Sequence, residues 1–322
     1  MPRVPPYPPP ALANRVGSLE SAEDPCAYYE DLGRRARADI LGVLGPDWSF
    51  EGKSVLDFGC GAGRTLRHFL TEAETAEFWG CDIDAESIEW LEANLSPPLR
   101  VFQNGPEPPL SAPDESFDLI WAVSVFTHLV ETWSSWLLEL RRVLKPGGLL
   151  VATFMGEGMS ATIAGEEWAE ERVGMNVLRY GQSWDLGGPM VLHSPWWIRE
   201  HWGRGFEVLE LQPHGFATRA GDGQGVVLLK KNDSDATREE LERIDLAYPR
   251  EAAALRHNLD MVQAEVADLR VAVDHFRGQA DTLRRQVEIF EGSRSWRLTE
   301  PLRRATTRVR GVIGRRRGRY DA

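Results

Sequence analysis

Apolar positions along these 322 residues follow two rhythms. Up to Lys231 they come as short runs broken by polar turns. Val55-Leu56-Asp57-Phe58 breaks into Gly59, Gly61 and Gly63, and a helix-like segment follows from Thr65 to Glu72. That is a buried strand turning sharply into a helix. Phe78 to Asp84 is a second strand ending in acids, and Arg100 to Gly105 a third with a polar turn. Ser116 to Leu129 holds a fourth strand and its exit, and Leu137 to Phe154 a helix, turn and fifth strand. Phe206 to Leu211 alternates with period two, and Gly225 to Lys230 is a buried run. Tyr28, Tyr29, Leu32 and Arg35 lie at helical spacing, predicting a helix from Pro25 to Leu44. Strands alternating with helices predict an α/β fold.

The second rhythm starts at Leu255. Leu255, Leu259, Val262, Val266, Leu269, Val273, Phe276, Ala280, Leu283, Val287 and Phe290 are separated alternately by four and three. That is an unbroken heptad seam. Pro249 suits its first turn and Gly292 its stop. A helix over 250–291 would be roughly 60 Å long, and one helix cannot bury its own stripe. Valine dominating one seam position and leucine the other favours a parallel two-stranded coil, hence a homodimer.

The glycine loop carries the first chemistry. Glycine is needed where the backbone takes positive φ or lies against a ligand, and amides opening a helix favour anionic groups. A dinucleotide fingerprint spaces its glycines G-x-G-x-x-G; here the spacing is G-x-G-x-G, with Asp57 two residues ahead. This resembles motif I of the class I S-adenosylmethionine (SAM) methyltransferases. Three further marks stand in register. Asp82 lies 23 positions after Gly59, where an acid meets a ribose diol in a βαβ unit. Asp84 is the expected cap of a helix over Ala85–Asn94. Asn104-Gly105 forms the turn that passes the adenine in the family, with asparagine in place of the usual aspartate. Arg142-Val-Leu-Lys145-Pro-Gly-Gly148 matches a characteristic turn before strand five.

The resemblance implies a Rossmann-like, seven-stranded, mostly parallel sheet with helices on both faces, its last two strands an antiparallel pair. It implies SAM as cofactor, held by Asp57, Gly59, Gly61, Gly63, Asp82, Ile83, Asn104, Gly105 and Ser124, with no metal. It also implies a helix over the cofactor, where Tyr28 or Tyr29 closes the pocket or simply packs. The competing readings are a nicotinamide-dependent oxidoreductase, against which the glycine spacing speaks, and a non-catalytic coiled-coil scaffold.

About 50 residues, 156–205, separate strands five and six, too many for a plain connection. They hold five tryptophans with Tyr180 and His193. Flat aromatic faces with a few polar groups suit a sugar or similar acceptor. Tyr180, Trp184, Trp196 and Trp197 are the candidate acceptor residues, although Trp197 and His201, four apart, fit helix core equally well. A hydroxyl acceptor benefits from a base near neutral pKa. His193 is the first candidate and His128, after strand four, the second.

Charge divides the chain. The net charge is −12, yet 292–322 holds ten arginines against two acids. The tail is therefore +8 and the remainder −20, which argues against nucleic acid as partner of the body. Leu302, Ala305, Val309 and Val312 give the tail a basic amphipathic pattern, expected at an anionic membrane surface. Ser293 to Arg303 resembles an element at the ends of bacterial enzymes of surface-polysaccharide assembly, which turns the acceptor expectation towards glycans. Cys26, Cys60 and Cys81 have no metal or disulfide spacing and read as cytosolic thiols. The expected layout is a Pro-rich flexible arm and helix over 1–50, a methyltransferase domain over 51–232, a linker over 233–249, the coil over 250–291 and the tail.

Overall fold

A computed structural model describes residues 5–16, 23–165, 167–183, 188–218 and 223–299. The chain divides into two units, residues 1–258 and 259–322. In the first, α1 (Pro10–Ala13) and α2 (Pro25–Leu44) lead into β1 (Ser54–Phe58), β2 (Glu77–Asp82), α3 (Ala85–Leu95), β3 (Arg100–Gln103), β4 (Phe117–Ala122), α4 (Trp133–Val143) and β5 (Leu144–Phe154). Then come α5 (Glu157–Ile163), β6 (Met175–Leu178), β7 (Met190–His193), α6 (Pro195–His201), β8 (Phe206–Phe216), β9 (Gln224–Lys231) and α7 (Arg238–Glu242). α8 (Pro249–Gly292) runs on into the second unit, followed by α9 (Arg294–Leu298).

The main sheet has seven strands in the order β3-β2-β1-β4-β5-β9-β8. β1 to β5 are parallel, and β9 runs antiparallel to both β5 and β8. The order reverses between β1 and β4, which opens a crevice at the carboxyl ends of those strands.

Alternation along each strand builds two cores. Leu56, Phe58, Ile120, Ala122, Leu150, Ala152, Phe154, Val227 and Leu229 point to one face, packing with α4, α6 and Leu241 of α7. Val55, Leu119, Trp121, Val151, Val226 and Leu228 point to the other, packing with α2 and α3. The period-two pattern thus becomes a three-layer sandwich.

α2 occupies the predicted span; Asp24 accepts the Ala27 amide at 3.0 Å, Pro25 opens the helix, and Gly45 stops it at φ +80°. Elsewhere the structure departs from expectation. After the glycine loop there is no α-helix but two 3₁₀ turns, Leu66–Phe69 and Glu72–Glu74. The Lys145-Pro-Gly-Gly turn is absorbed into β5, and its lysine bonds Asp118 Oδ2 at 2.7 Å at the amino ends of the strands. That segment is therefore structural.

The expected linker is folded: α7 carries a reciprocal capping box between Thr237 and Glu240, and Leu241 is fully buried. The Pro-rich arm is packed over its described residues. Arg67 is buried and needs acceptors; it takes the carbonyls of Pro5 at 2.7 Å and Pro6 at 3.0 Å and lies 4.8 Å from the Tyr7 ring centroid. Pattern reasoning missed both, because each depends on one long-range partner.

In the second unit, α8 realises the predicted start and stop within one residue. Its seam residues from Leu259 to Phe290 are exposed. Ser293 caps α9 by accepting the Trp296 amide. The basic pattern from Leu302 onward lies outside the described residues. Among the described residues no helix is long and apolar enough to cross a membrane.

Candidate active site

The loop after β1 is shaped by its glycines. Gly59 has φ +78°, Gly61 φ +50° and Gly63 φ +79°, a region that costs L side chains strain. Space is closed as well: a Cβ on Gly59 would lie 2.3 Å from Val125 Cγ2, and one on Gly63 2.6 Å from Leu91 Cδ2. The amides of Gly59 and Cys60 both bond the Cys81 carbonyl, at 2.8 and 3.0 Å. The loop is therefore stitched to the carboxyl end of β2.

Two acids meet there. Asp82 Oδ2 accepts the Gly61 amide at 2.7 Å, and Oδ1 the Asp84 amide at 2.9 Å. Each oxygen keeps a lone pair. Asp57 is 2% exposed, and its Oδ2 has no hydrogen-bond partner among the described residues. Burial pushes its carboxyl up to about 7; Trp121, opposite it on β4, and Arg64 oppose the rise, while Asp82 adds to it. Burial likewise raises Asp82, against the Gly61 amide and Arg15.

β3 supplies the third side. The Asn104 amide bonds the Asp82 carbonyl at 3.0 Å, and Asn104 Nδ2 the Gly105 carbonyl at 2.8 Å. Asn104 Oδ1 is buried with no partner among the described residues, and the Ile83 side chain, next to Asp82 in the chain, is exposed. Two orphaned acceptors and a carboxylate with spare lone pairs thus stand at the carboxyl ends of the neighbouring strands β1, β2 and β3. They fit a ligand with an ammonium group, an exocyclic amine and a vicinal diol, which is the donor set of SAM.

α2 covers this crevice. Tyr29 is buried and donates from its hydroxyl to the Ala62 carbonyl at 3.2 Å, whereas Tyr28 is exposed. Of the two, Tyr29 closes the loop. Gly33 lets α2 approach: a Cβ there would stand 2.1 Å from the Arg64 carbonyl. Asp84 is at the N-cap of α3, but its carboxylate takes the Ser87 hydroxyl and pairs with Arg15, so it caps no helix amide. Arg15 also bonds Glu86 at 2.9 Å, tying the arm to the turn after Asp82.

The far rim is polar. Ser124, at φ +62°, donates its amide to Thr153 Oγ1 at 2.7 Å and accepts at Oγ from Gln224 Nε2 at 2.7 Å. Thr153 Oγ1 donates to Gln224 Oε1 at 2.6 Å. This closed network joins the ends of β4 and β5 to β9. Sequence reading found only Ser124, because nothing local marks Thr153 or Gln224.

Beyond the rim, the insertion is anchored by backbone. The amide of Val191 bonds the Thr127 carbonyl at 2.8 Å, that of His193 the Met155 carbonyl at 2.7 Å, and Leu192 bridges Met155. β7 therefore lies across the exits of β4 and β5. His128 is half-buried, and its Nδ1 faces the Pro189 carbonyl at 2.8 Å. A carbonyl only accepts, so Nδ1 carries the proton and Nε2 the lone pair. Burial holds this imidazole below its usual value, with the Pro189 bond acting the other way.

The remaining candidates fare differently. His193 is fully buried, 5.2 Å from the Trp197 ring centroid and 5.7 Å from that of Trp202, and neither nitrogen has a partner among the described residues. Burial and His201 push it down to about 3, so its place is in the core. Trp196 and Trp197 are each 6% exposed. The Trp196 indole donates to the Glu170 and Val173 carbonyls, both at 2.9 Å, and Trp197 stacks on His201 at 4.3 Å. Both are chiefly core residues; Trp197 also borders a cavity of about 180 Å³ beside His201 and Glu251. Tyr180 is 63% exposed and bonds Glu131. Trp184 lies outside the described residues.

Residues 56–152 match a family model described as a methyltransferase domain. The chain is 32% identical over 136 residues to a phthiotriol/phenolphthiotriol dimycocerosates methyltransferase 1 of Mycobacterium ulcerans, covering 42% of this chain and 47% of that protein. It is 31% identical over 103 residues to a fatty-acid O-methyltransferase of Mycolicibacterium smegmatis, covering 32% and 37% respectively. The chain thus spans less than half the length of either relative. A solved SAM-dependent methyltransferase from Methanosarcina mazei aligns with TM-score 0.44 at 22% identity, covering 59% of this chain and 97% of that one. Over residues 56–152 the chain is thus similar to methyltransferase domains.

Proposed function

We propose that the whole protein is a SAM-dependent methyltransferase acting on an oxygen of a small organic acceptor. The observation that carries this is the crevice formed by Asp57, the three glycines, Asp82 and Asn104, whose unpartnered acceptors match the donors of SAM. On this reading Asp57 would take the ammonium, Asp82 the ribose hydroxyls and Asn104 Oδ1 the adenine amine, and Ile83 would pack against the ring. SAM, when bound, supplies an electrophilic methyl group on a cationic sulfur. The chain then has to exclude water, orient the acceptor and remove its proton. α2 with Tyr29 and the arm cover the loop, and β7 covers the exits of β4 and β5.

His128 is the proposed base. Its Nδ1–H is held by Pro189, which leaves Nε2 free to take a proton, and its lowered pKa keeps it neutral at pH 7. His193, ranked first from sequence, has no such opening.

A sugar hydroxyl was the sequence expectation for the acceptor. Its aromatic support is reduced, since Trp196 and Trp197 serve the core. The relatives' names, a fatty-acid O-methyltransferase and a lipid methyltransferase, favour a hydroxyl or carboxyl on an apolar body as a second reading.

Calorimetry with SAM tests the first step. Binding by the wild type that is lost in Asp57→Ala and Asp82→Ala supports the reading; binding unchanged in both overturns it. Isotope-labelled methyl transfer to sugar, fatty-acid and hydroquinone panels separates the acceptor classes.

A further inference from the structure

We infer that α8 pairs with α8 of a second copy as a parallel, two-stranded coiled coil. The seam is continuous and, from Leu259 to Phe290, exposed in the single chain: Val266 is 40%, Val273 46%, Leu283 61% and Phe290 58% exposed. Eleven apolar residues kept at a 4-3 spacing match one another and so are self-complementary.

The flanks select the occupant and its direction. Taking the three-residue steps as a to d places Leu259, Val266, Val273, Ala280 and Val287 at a, and Leu255, Val262, Leu269, Phe276, Leu283 and Phe290 at d. The e positions are then Arg256, Gln263, Arg270, Arg277, Arg284 and Glu291, and the g positions Asn258, Glu265, Ala272, Gln279 and Gln286. A parallel pair sets each g against the e residue five positions on. Glu265 then faces Arg270 of the partner subunit, twice by symmetry, and no e–g pair brings like charges together. An antiparallel pair sets e against e and brings Arg270 onto Arg277 of the partner subunit.

Valine at three of the five a positions, with leucine or phenylalanine at five of the six d positions, points the same way. Small Ala280 leaves room between the layers of Phe276 and Leu283. A membrane surface is a poorer occupant, because the stripe is a narrow a/d seam, whereas interfacial helices present a broad apolar face.

Sedimentation of the full chain at rising concentration is the test. The expected result is twice the chain mass for wild type and a single chain for Val273→Asp, with SAM binding unchanged in the variant as proof of folding. A wild type that stays single, or assembles as a trimer, overturns the inference. Glu265→Arg should weaken association about tenfold, and adding Arg270→Glu should restore it. Direction is read in a Cys26→Ser background. Val287→Cys should cross-link to itself, whereas cross-linking only in a mixture of Val287→Cys with Val262→Cys would overturn the parallel arrangement.

Discussion

The Tyr29 hydroxyl donates to the carbonyl of Ala62 at 3.2 Å, so a helix read from spacing alone holds the middle of the glycine loop. Burial raises the phenol's pKa, against Arg64 and Arg67, and it remains a donor throughout the working pH range. Tyr29→Phe removes only that donor and leaves a buried carbonyl short of one bond. A loss of about 1 kcal/mol of stability is expected, with weaker SAM binding. Denaturant unfolding and calorimetry check the two effects separately.

Two glycines of α2 should respond oppositely to alanine. At Gly33 the added Cβ would meet the Arg64 carbonyl at 2.1 Å, whereas at Gly42 nothing lies within 4 Å. Gly42→Ala should gain up to about 1 kcal/mol from helix propensity. Gly33→Ala should cost stability and SAM binding together, because α2 has to lift off the loop. Melting temperatures moving in the same direction would contradict this contact.

SAM affinity should rise with pH below neutrality. Asp57 sits at about 7 in the free protein, so most molecules carry it protonated at pH 6. An ammonium ligand needs it ionised, and binding therefore releases a proton. The sign follows: affinity rises by up to about tenfold per pH unit below 7 and levels off above it. Asp57→Asn should bind more weakly and without this slope. Calorimetry in buffers of different ionisation enthalpy counts the released proton.

His193 and His128 should separate stability from turnover. The folded value of His193 is about 3, against 6.5 in an unfolded chain. Between those values the unfolded state binds the extra proton, so stability falls as pH drops, by up to about 1.4 kcal/mol per unit. His193→Leu should flatten that slope and leave neutral-pH stability within about 1 kcal/mol, since two unpartnered nitrogens disappear with it. His128→Gln should lower kcat about 10²-fold or more with SAM binding unchanged. A reversal of these two phenotypes would return the base to His193.

Legibility tracked the range of the interactions. The glycine loop, Asp82 and the ends of α2 and α8 are specified by neighbours within one turn of chain, and the sequence displays them. Arg67 with the proline carbonyls, Leu241 of α7 in the core, and Gln224 on Ser124 depend on partners far along the chain, and no periodicity announces them. The tryptophans misled for another reason. Their size marks them as important, but a large aromatic fills a core or lines a pocket by the same apolar chemistry. Only the Glu170 and Val173 carbonyls on the Trp196 indole and the Trp197–His201 stack decide between the two.

The attachment of β7 bears on how such an enzyme could change its diet. Two main-chain hydrogen bonds, from the Val191 and His193 amides to the Thr127 and Met155 carbonyls, hold the roof over the exits of β4 and β5. Peptide groups make those links whatever side chains they carry. Substitutions in the roof can therefore re-cut the acceptor chamber while the donor crevice beneath, with its crowded glycines and paired acids, stays frozen. Selection would find the two halves almost independently adjustable, with new substrates explored above an unaltered methyl supply.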